Sequence, residues 1–392
     1  MRIGVDACCW SNKRGFGRFT RELLNAMVSI DQKNEYLFFV DKDTALTNKF
    51  PERVKIAVAQ TSVAPTKAAS ASGRRSVKDL WAMSRLVMKH DMDIFFFPAV
   101  YSYFPIYTRA KIIVTIHDVI AELYPKLVFP DKRLNLFWRL KQYLANRQAH
   151  IILTVSEYSR EQIIKYLKIP ESRVKAISEA PKEIFTLLPH NKEMSQALEK
   201  YQLENKQRFV LYVGGISPHK NLGTLVEVHA QLIKNQEFCD VKLVLVGDYK
   251  DDSFYTNYQI LKQQISGLGL EKQIIFTGFI QDQELAYLYN AASLLVFPSL
   301  QEGFGLPAIE AMACGTPVAA SNAGSLPEII GEAGSFFNPG NSVEMLDTIR
   351  NLLSNNTLRE KMRQDGLMRA KQFSWEKAAR DTLLIFDELL KG

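Results

Sequence analysis

The chain has 392 residues, 47% of them hydrophobic, and a formal net charge of +7; that length can bury a large core and predicts two domains. It has no run of eighteen apolar residues, which excludes a membrane-spanning helix, and Met1-Arg-Ile-Gly-Val-Asp6 reads directly as a strand with no leader pattern. The four cysteines (Cys8, Cys9, Cys239, Cys314) have neither metal-ligand spacing nor a disulfide framework, which predicts a reducing, cytoplasmic setting.

In chain order, residues 1–185 alternate strand and helix. Ile3–Asp6, Tyr36–Val40, Val54–Val58, Asp93–Phe97, Lys111–Ile116 and His150–Val155 read as strands. Arg18 to Ile30 and Val77 to His90 have helical spacing, and residues 60–75, rich in Ser, Thr, Ala, Pro and Gly, read as a loop. Residues 178–200 carry Pro181 and Pro189 and read as a linker. A second series follows, with strands at Phe209–Val213, Val241–Val246, Gln273–Phe276, Leu294–Phe297 and Pro317–Ala320. The pattern is α/β throughout, as in doubly wound parallel sheets whose ligands lie beyond the carboxyl ends of the strands.

The most informative stretch is Ser299-Leu-Gln-Glu-Gly-Phe-Gly-Leu-Pro-Ala-Ile-Glu-Ala-Met-Ala-Cys-Gly-Thr-Pro317. It follows an apolar strand, turns at Gly303 and Gly305, and enters a helix with Pro307 in its first turn. The N–H groups of Phe304, Gly305 and Leu306 can then gather at a helix N-terminus, a place that binds phosphate. Glu302 sits in the loop and Glu310 eight positions on, with its side chain expected to lean back toward the loop mouth. The bland alternative is that both acids merely oppose the helix dipole. A carboxylate beside a bound anion makes chemical sense when it serves hydroxyls, and a phosphate flanked by hydroxyl-rich groups describes a sugar nucleotide.

Other candidates lie at strand ends. Gly214 and Gly215 allow close backbone approach after Phe209–Val213; Lys220 precedes a helix with Asn221 as N-cap, where a bound diphosphate would explain a cation and a solvated lysine is the alternative. Gly15 and Gly17 precede the first long helix and read either as a diphosphate loop or as an ordinary turn. His117-Asp118 ends a strand. Ser156 and Ser159 read as helix caps, with Arg160 within reach of a phosphate. Asn322–Glu328 is given no role. The run Phe95–Tyr107 begins as a strand and continues as an aromatic loop able to hold a lipid or sugar acceptor.

The block Glu302–Val318 resembles the E-x7-E block of retaining glycosyltransferases of family four, which have the GT-B fold. The resemblance implies two Rossmann-like domains facing across a cleft: an acceptor-side domain over 1–185, a nucleotide-sugar domain over 200–374, and a last helix, 375–392, packing back on the first domain. It further implies that Glu302 contacts the transferred sugar, Glu310 the ribose, Lys220 the diphosphate, and that His117 lies near the sugar. Gly215 stands where the family commonly has an arginine. The implied reaction keeps the anomeric configuration, and the donor phosphate takes the acceptor proton. The donor is a nucleotide sugar, GDP-mannose by analogy, with UDP-glucose and UDP-N-acetylglucosamine open; no cofactor or metal is called for. The acceptor is a saccharide or lipid-linked oligosaccharide of a bacterial surface polymer.

The charge is uneven. Residues 1–185 hold 30 Lys/Arg against 18 Asp/Glu, and the remainder 19 against 24. Arg74, Arg75, Lys78, Trp81, Arg85 and Lys89 fall on one predicted helix and Lys132, Arg133, Phe137, Trp138, Arg139 and Lys141 on another. Either they rest on an anionic membrane at the inner face of the plasma membrane, or they are solvated helices with aromatics facing the core. Nucleic-acid binding through the basic half is the rival class, set against by the acidic second half. A nicotinamide dehydrogenase is excluded by the missing third glycine after the first strand, where Thr20 stands.

Overall fold

A computed structural model describes residues 1–62, 76–129, 131–204, 207–249 and 256–391. Most of the loop at 60–75, with Arg74 and Arg75, lies outside the described residues. The chain divides into two compact units, Met1–Glu179 with Ser374 to the C-terminus, and Ala180–Phe373.

The N-terminal unit is built on a seven-stranded sheet of β1 (Arg2–Asp6), β2 (Glu35–Asp41), β3 (Val54–Ala59), β4 (Ile94–Phe97), β5 (Lys111–Thr115), β6 (Ile151–Thr154) and β7 (Val174–Ala176). The spatial order is β3-β2-β1-β4-β5-β6-β7, and every pairing is parallel. A parallel sheet covered on both faces needs continuous apolar strands, and Ile94-Phe-Phe-Phe97 is wholly buried. The chain winds outward from β1 in one direction and from β4 in the other, so the loops after β1 and β4 part company at that junction. The helix Trp375–Lys391 packs on the helix Gly15–Ile30. Trp375 meets Phe19 at 6.1 Å and Phe386 meets Phe96 at 5.5 Å, both edge-on.

The C-terminal unit repeats the design with β8 (Phe209–Val213), β9 (Lys242–Val246), β10 (Ile274–Gly278), β11 (Leu294–Phe297), β12 (Val318–Ser321) and β13 (Gly334–Phe337). Their order is β10-β9-β8-β11-β12-β13, all parallel. The winding reverses between β8 and β11. The segment read as a linker is built into this unit. Asn191 caps the helix Lys192–Lys200 by accepting from the Met194 N–H. The helix Asp282–Ala291 then ties the segment down through Lys182–Asp282 at 2.8 Å and through Glu284, which takes Lys200 and the Tyr201 hydroxyl at 2.6 Å each. The units divide at Glu179/Ala180, at the start of the segment read as a linker and next to Pro181; from Ala180 onward that segment, Pro189 included, belongs to the C-terminal unit.

Candidate active site

The reversal between β8 and β11 leaves a crevice beyond their carboxyl ends, the place where doubly wound sheets take ligands. From β11 the chain runs through Pro298–Phe304 to Gly305, whose φ of 101° is open to glycine and strained for other residues. A Cβ there would stand 2.6 Å from Leu326 Cδ2. The helix Leu306–Ala313 starts at once, with Pro307 in its first turn. Among the described residues, the N–H groups of Phe304, Gly305 and Leu306 have no acceptor, so they remain available at the helix mouth.

The other wall comes from β8. Tyr212 donates its hydroxyl to the Gly215 carbonyl at 2.8 Å, folding the Gly214-Gly215 turn over its own ring. Asn221 occupies the N-cap position with φ 58°, but its side chain does not cap. It donates instead to the carbonyls of Pro298 and Pro339, at 3.2 and 2.9 Å. Together with the Leu300 N–H on the His219 carbonyl at 2.8 Å, this stitches the β8 loop to the β11 loop.

That stitching brings Lys220 and Glu302 together. The Lys220 ammonium donates to Glu302 Oε1 at 2.6 Å, with side chains only 16% and 10% exposed. A pair this sheltered is screened far less than a surface bridge. The sequence placed the two residues at one site but not on each other.

Glu310 differs from expectation. It lies in the second turn of its helix, is 1% exposed, and accepts from the Tyr289 hydroxyl at 3.1 Å. The helix turns this position inward, where burial, aided by the Glu310 charge, raises the Cys314 thiol well above its usual range. For Glu310 to serve a ribose hydroxyl, its carboxylate would have to be uncovered.

A part of the site that the sequence reading passed over is Asn322–Glu328. Ser325 is buried and bonds the Glu302 carbonyl through both its N–H and its hydroxyl, at 3.3 and 3.2 Å, and the Phe304 carbonyl at 2.9 Å. Gly324 has φ 66°, and a Cβ there would stand 2.7 Å from the Glu302 nitrogen. This segment is the bed on which Glu302 lies; the Gly324-Ser325 pair, a few residues after β12, was the available signal.

In the N-terminal unit, the helix begins at Gly15, so both glycines belong to its first turn and not to a loop before it. A Cβ at Gly17 would strike the Asn12 carbonyl at 2.1 Å, whereas Gly15 faces open space. His117 follows β5 and is buried. Its ring stands edge-on to Phe19 at 4.8 Å, and neither nitrogen has a hydrogen-bond partner among the described residues. Burial lowers its pKa to about 3, so the imidazole is neutral at any working pH. Asp118 accepts from the Ile120 N–H at 2.9 Å. Ser156 caps the helix Glu157–Leu167. Arg160 is engaged by its own neighbours. Glu171 at 2.6 Å, Glu157 at 3.3 Å and the Val174 carbonyl at 3.0 Å hold its guanidinium.

The basic helices divide between the two readings. On the helix Lys132–Gln148, Trp138 is buried, as a core residue. Leu136, Phe137, Leu140 and Tyr143 are each more than half exposed, among Lys132, Arg133, Arg139 and Arg147. On the helix Val77–Val87, Trp81 is exposed under the Arg85 guanidinium at 4.9 Å.

Comparison with known proteins follows the two units. The model described as Glycosyltransferase Family 4 matches residues 14–179, and that described as Glycosyl transferases group 1 matches residues 193–368. The O-antigen chain mannosyltransferase B of Escherichia coli is 34% identical over 70% of this chain and 69% of its own length. The chain belongs to glycosyltransferase family 4. The serotype-specific mannosyltransferase WbdA of Escherichia coli is 31% identical over 72% of this glycosyltransferase, a match spanning about a third (34%) of WbdA. Sucrose-phosphate synthase from Thermosynechococcus elongatus superposes with a TM-score of 0.77, at 19% identity, over 100% of this chain and 99% of its own. The glycosyltransferase has the GT-B fold of such neighbours.

Proposed function

We propose that this glycosyltransferase moves mannose from GDP-mannose to a saccharide or lipid-linked acceptor during synthesis of a bacterial surface polysaccharide, with retention of anomeric configuration and without a metal. The observation that carries the reading is the sheltered Lys220–Glu302 pair beside unoccupied helix N–H groups at the β8/β11 reversal. A diphosphate entering there meets the Lys220 ammonium and the N–H groups of Phe304, Gly305 and Leu306, and Glu302 is left to grip sugar hydroxyls. The mannosyltransferase relatives support the sugar; UDP-glucose and UDP-N-acetylglucosamine are the competing donors.

In the reaction the acceptor oxygen bonds to the anomeric carbon on the face that the diphosphate leaves. The carbon–phosphate-oxygen bond breaks, and the acceptor proton passes to the departing phosphate. Lys220 and the helix N–H groups meet the charge as it develops; single donors of this kind are worth about 3 kcal/mol in other sites. Glu310 becomes a ribose ligand only if donor binding uncovers it. The neutral His117 ring fits beside the sugar as a hydrogen-bonding group, not as a cation. The exposed face of the helix Lys132–Gln148 supports peripheral attachment to an anionic membrane, on the cytoplasmic side.

The deciding experiment is a panel of GDP- and UDP-sugars scored by release of GDP or UDP, run with and without EDTA. GDP release from GDP-mannose that persists in EDTA is the expected result. Release from UDP-sugars alone would reassign the donor, and complete loss in EDTA restored by magnesium or manganese would overturn the metal-free mechanism.

A further inference from the structure

The N-terminal sheet has its own reversal, between β1 and β4, and a cluster of aromatic and acidic side chains gathers there. Phe16, beyond β1, and Tyr101, beyond β4, bring their rings together at 4.7 Å, and Tyr101 meets Trp138 at 5.3 Å. Next to them, on the short helix Ile120–Leu123 that follows β5, stands Glu122. Its Oε1 accepts from the Trp138 indole N–H at 2.7 Å. Its Oε2 is buried and has no hydrogen-bond partner among the described residues. Buried carboxyl oxygens are nearly always partnered, so an orphan of this kind calls for a missing one. Burial, and the neighbouring Asp118, raise this carboxyl to about 7. Near neutrality the group is present both as a hydrogen-bond donor and as an acceptor, as a sugar hydroxyl is.

We propose that Glu122, backed by the Tyr101 ring, binds a hydroxyl of the acceptor saccharide, and that this cluster is the acceptor subsite. The assignment rests on the glycosyl-transfer reading for the word acceptor, but the saccharide chemistry comes from the cluster itself. Aromatic walls take the apolar C–H face of a pyranose, and a few placed polar groups fix its orientation. The ordinary alternative is that Glu122 only anchors Trp138.

Two measurements on Glu122→Gln separate them, since glutamine keeps an acceptor for Trp138. Methyl α-mannoside and an α-linked mannobiose are titrated against the full chain by saturation-transfer NMR, and melting is followed at pH 8. The subsite predicts saturable binding to wild type and binding about 10-fold weaker in the variant, the scale of one lost hydrogen bond. It also predicts a Tm at pH 8 no lower than wild type, and unchanged affinity for GDP. The proposal is overturned if wild type shows no saturable mannoside signal, if the variant binds as wild type does, or if the variant loses Tm along with affinity. Should the nucleotide-sugar panel give no release while mannosides still bind through Glu122, the transfer reading falls and the saccharide site stands.

Discussion

Glu302 and Lys220 neutralise each other at 2.6 Å before any ligand arrives. A diphosphate must therefore draw the ammonium away from a carboxylate that already holds it. Glu302→Gln weakens that hold. Turnover is expected to fall by about 100-fold, as when a single positioned polar group is removed from an active site. GDP affinity, measured by calorimetry, is expected to rise by about 10-fold as the charge-assisted bond is given up. Unchanged turnover would remove Glu302 from the mechanism. His117 makes a prediction about acid. Its folded pKa of about 3 lies below the ordinary 6.5, so between those values the unfolded chain takes up a proton that the folded chain refuses. The stability it contributes is complete above pH 6.5 and is lost as the pH falls toward 3. His229, held at about 4 by burial, adds to the same slope. His117→Asn is expected to show a smaller drop in Tm between pH 7 and pH 4 than wild type; an equal drop would mean that the ring is not buried and neutral. The sequence reading put Lys220 and Glu302 at one site, and the structure brings them to 2.6 Å. The inward turn of Glu310 was not legible: the helix starts where expected, at Leu306, but nothing in the local sequence shows that this position turns toward Tyr289 and away from the loop mouth.

At the level of elements, the strands missing from the sequence reading are β7 and β13, the outermost strands on one side of each sheet. Val174-Lys-Ala176 and Gly334-Ser-Phe-Phe337 are too short and too polar for an apolar run, because an edge strand is covered less than a central one. The central strands announced themselves by being apolar from end to end. The Gly324–Ser325 turn after β12 carried no periodic signal, yet it positions Glu302. Gly324→Ala adds a methyl 2.7 Å from the Glu302 nitrogen at a φ of 66°. It is expected to cost about 1–3 kcal/mol of stability, seen as a lowered Tm, and to lower turnover with it. Gly267→Ala, with nothing within 4 Å, should change neither. Equal behaviour of the two variants would show that the turn does not hold the loop.

For the whole molecule, the charge asymmetry acquires a location. The positive excess of residues 1–185 includes the cations around the exposed Leu136, Phe137, Leu140 and Tyr143. The chain is expected to sediment with phosphatidylglycerol vesicles at low ionic strength, to release as salt is added, and to ignore phosphatidylcholine. Leu136→Glu with Phe137→Glu should stay in the supernatant and still release GDP from its donor. Binding of that variant equal to wild type would exclude this face as the contact. The two-unit α/β plan could be read from alternating strands and helices, and the division at Glu179/Ala180 falls inside the 178–200 segment read as a linker; how much of that segment is built into the C-terminal unit could not be read. That depends on which neighbours a segment packs against, and Pro181 and Pro189 look the same in a linker as in a turn.

The return of the last helix to the N-terminal unit makes the two units unequal when separated. Ala180–Phe373 is one unbroken stretch and carries Lys220, Glu302 and the helix mouth complete, so it can be expressed alone and titrated with nucleotides. Its companion is spliced from two pieces. Cut off at Glu179, it would leave Phe19 and Phe96 bare where Trp375 and Phe386 had covered them, an invitation to aggregate; recovering it in soluble form means fusing residues 374–391 back through a short flexible join.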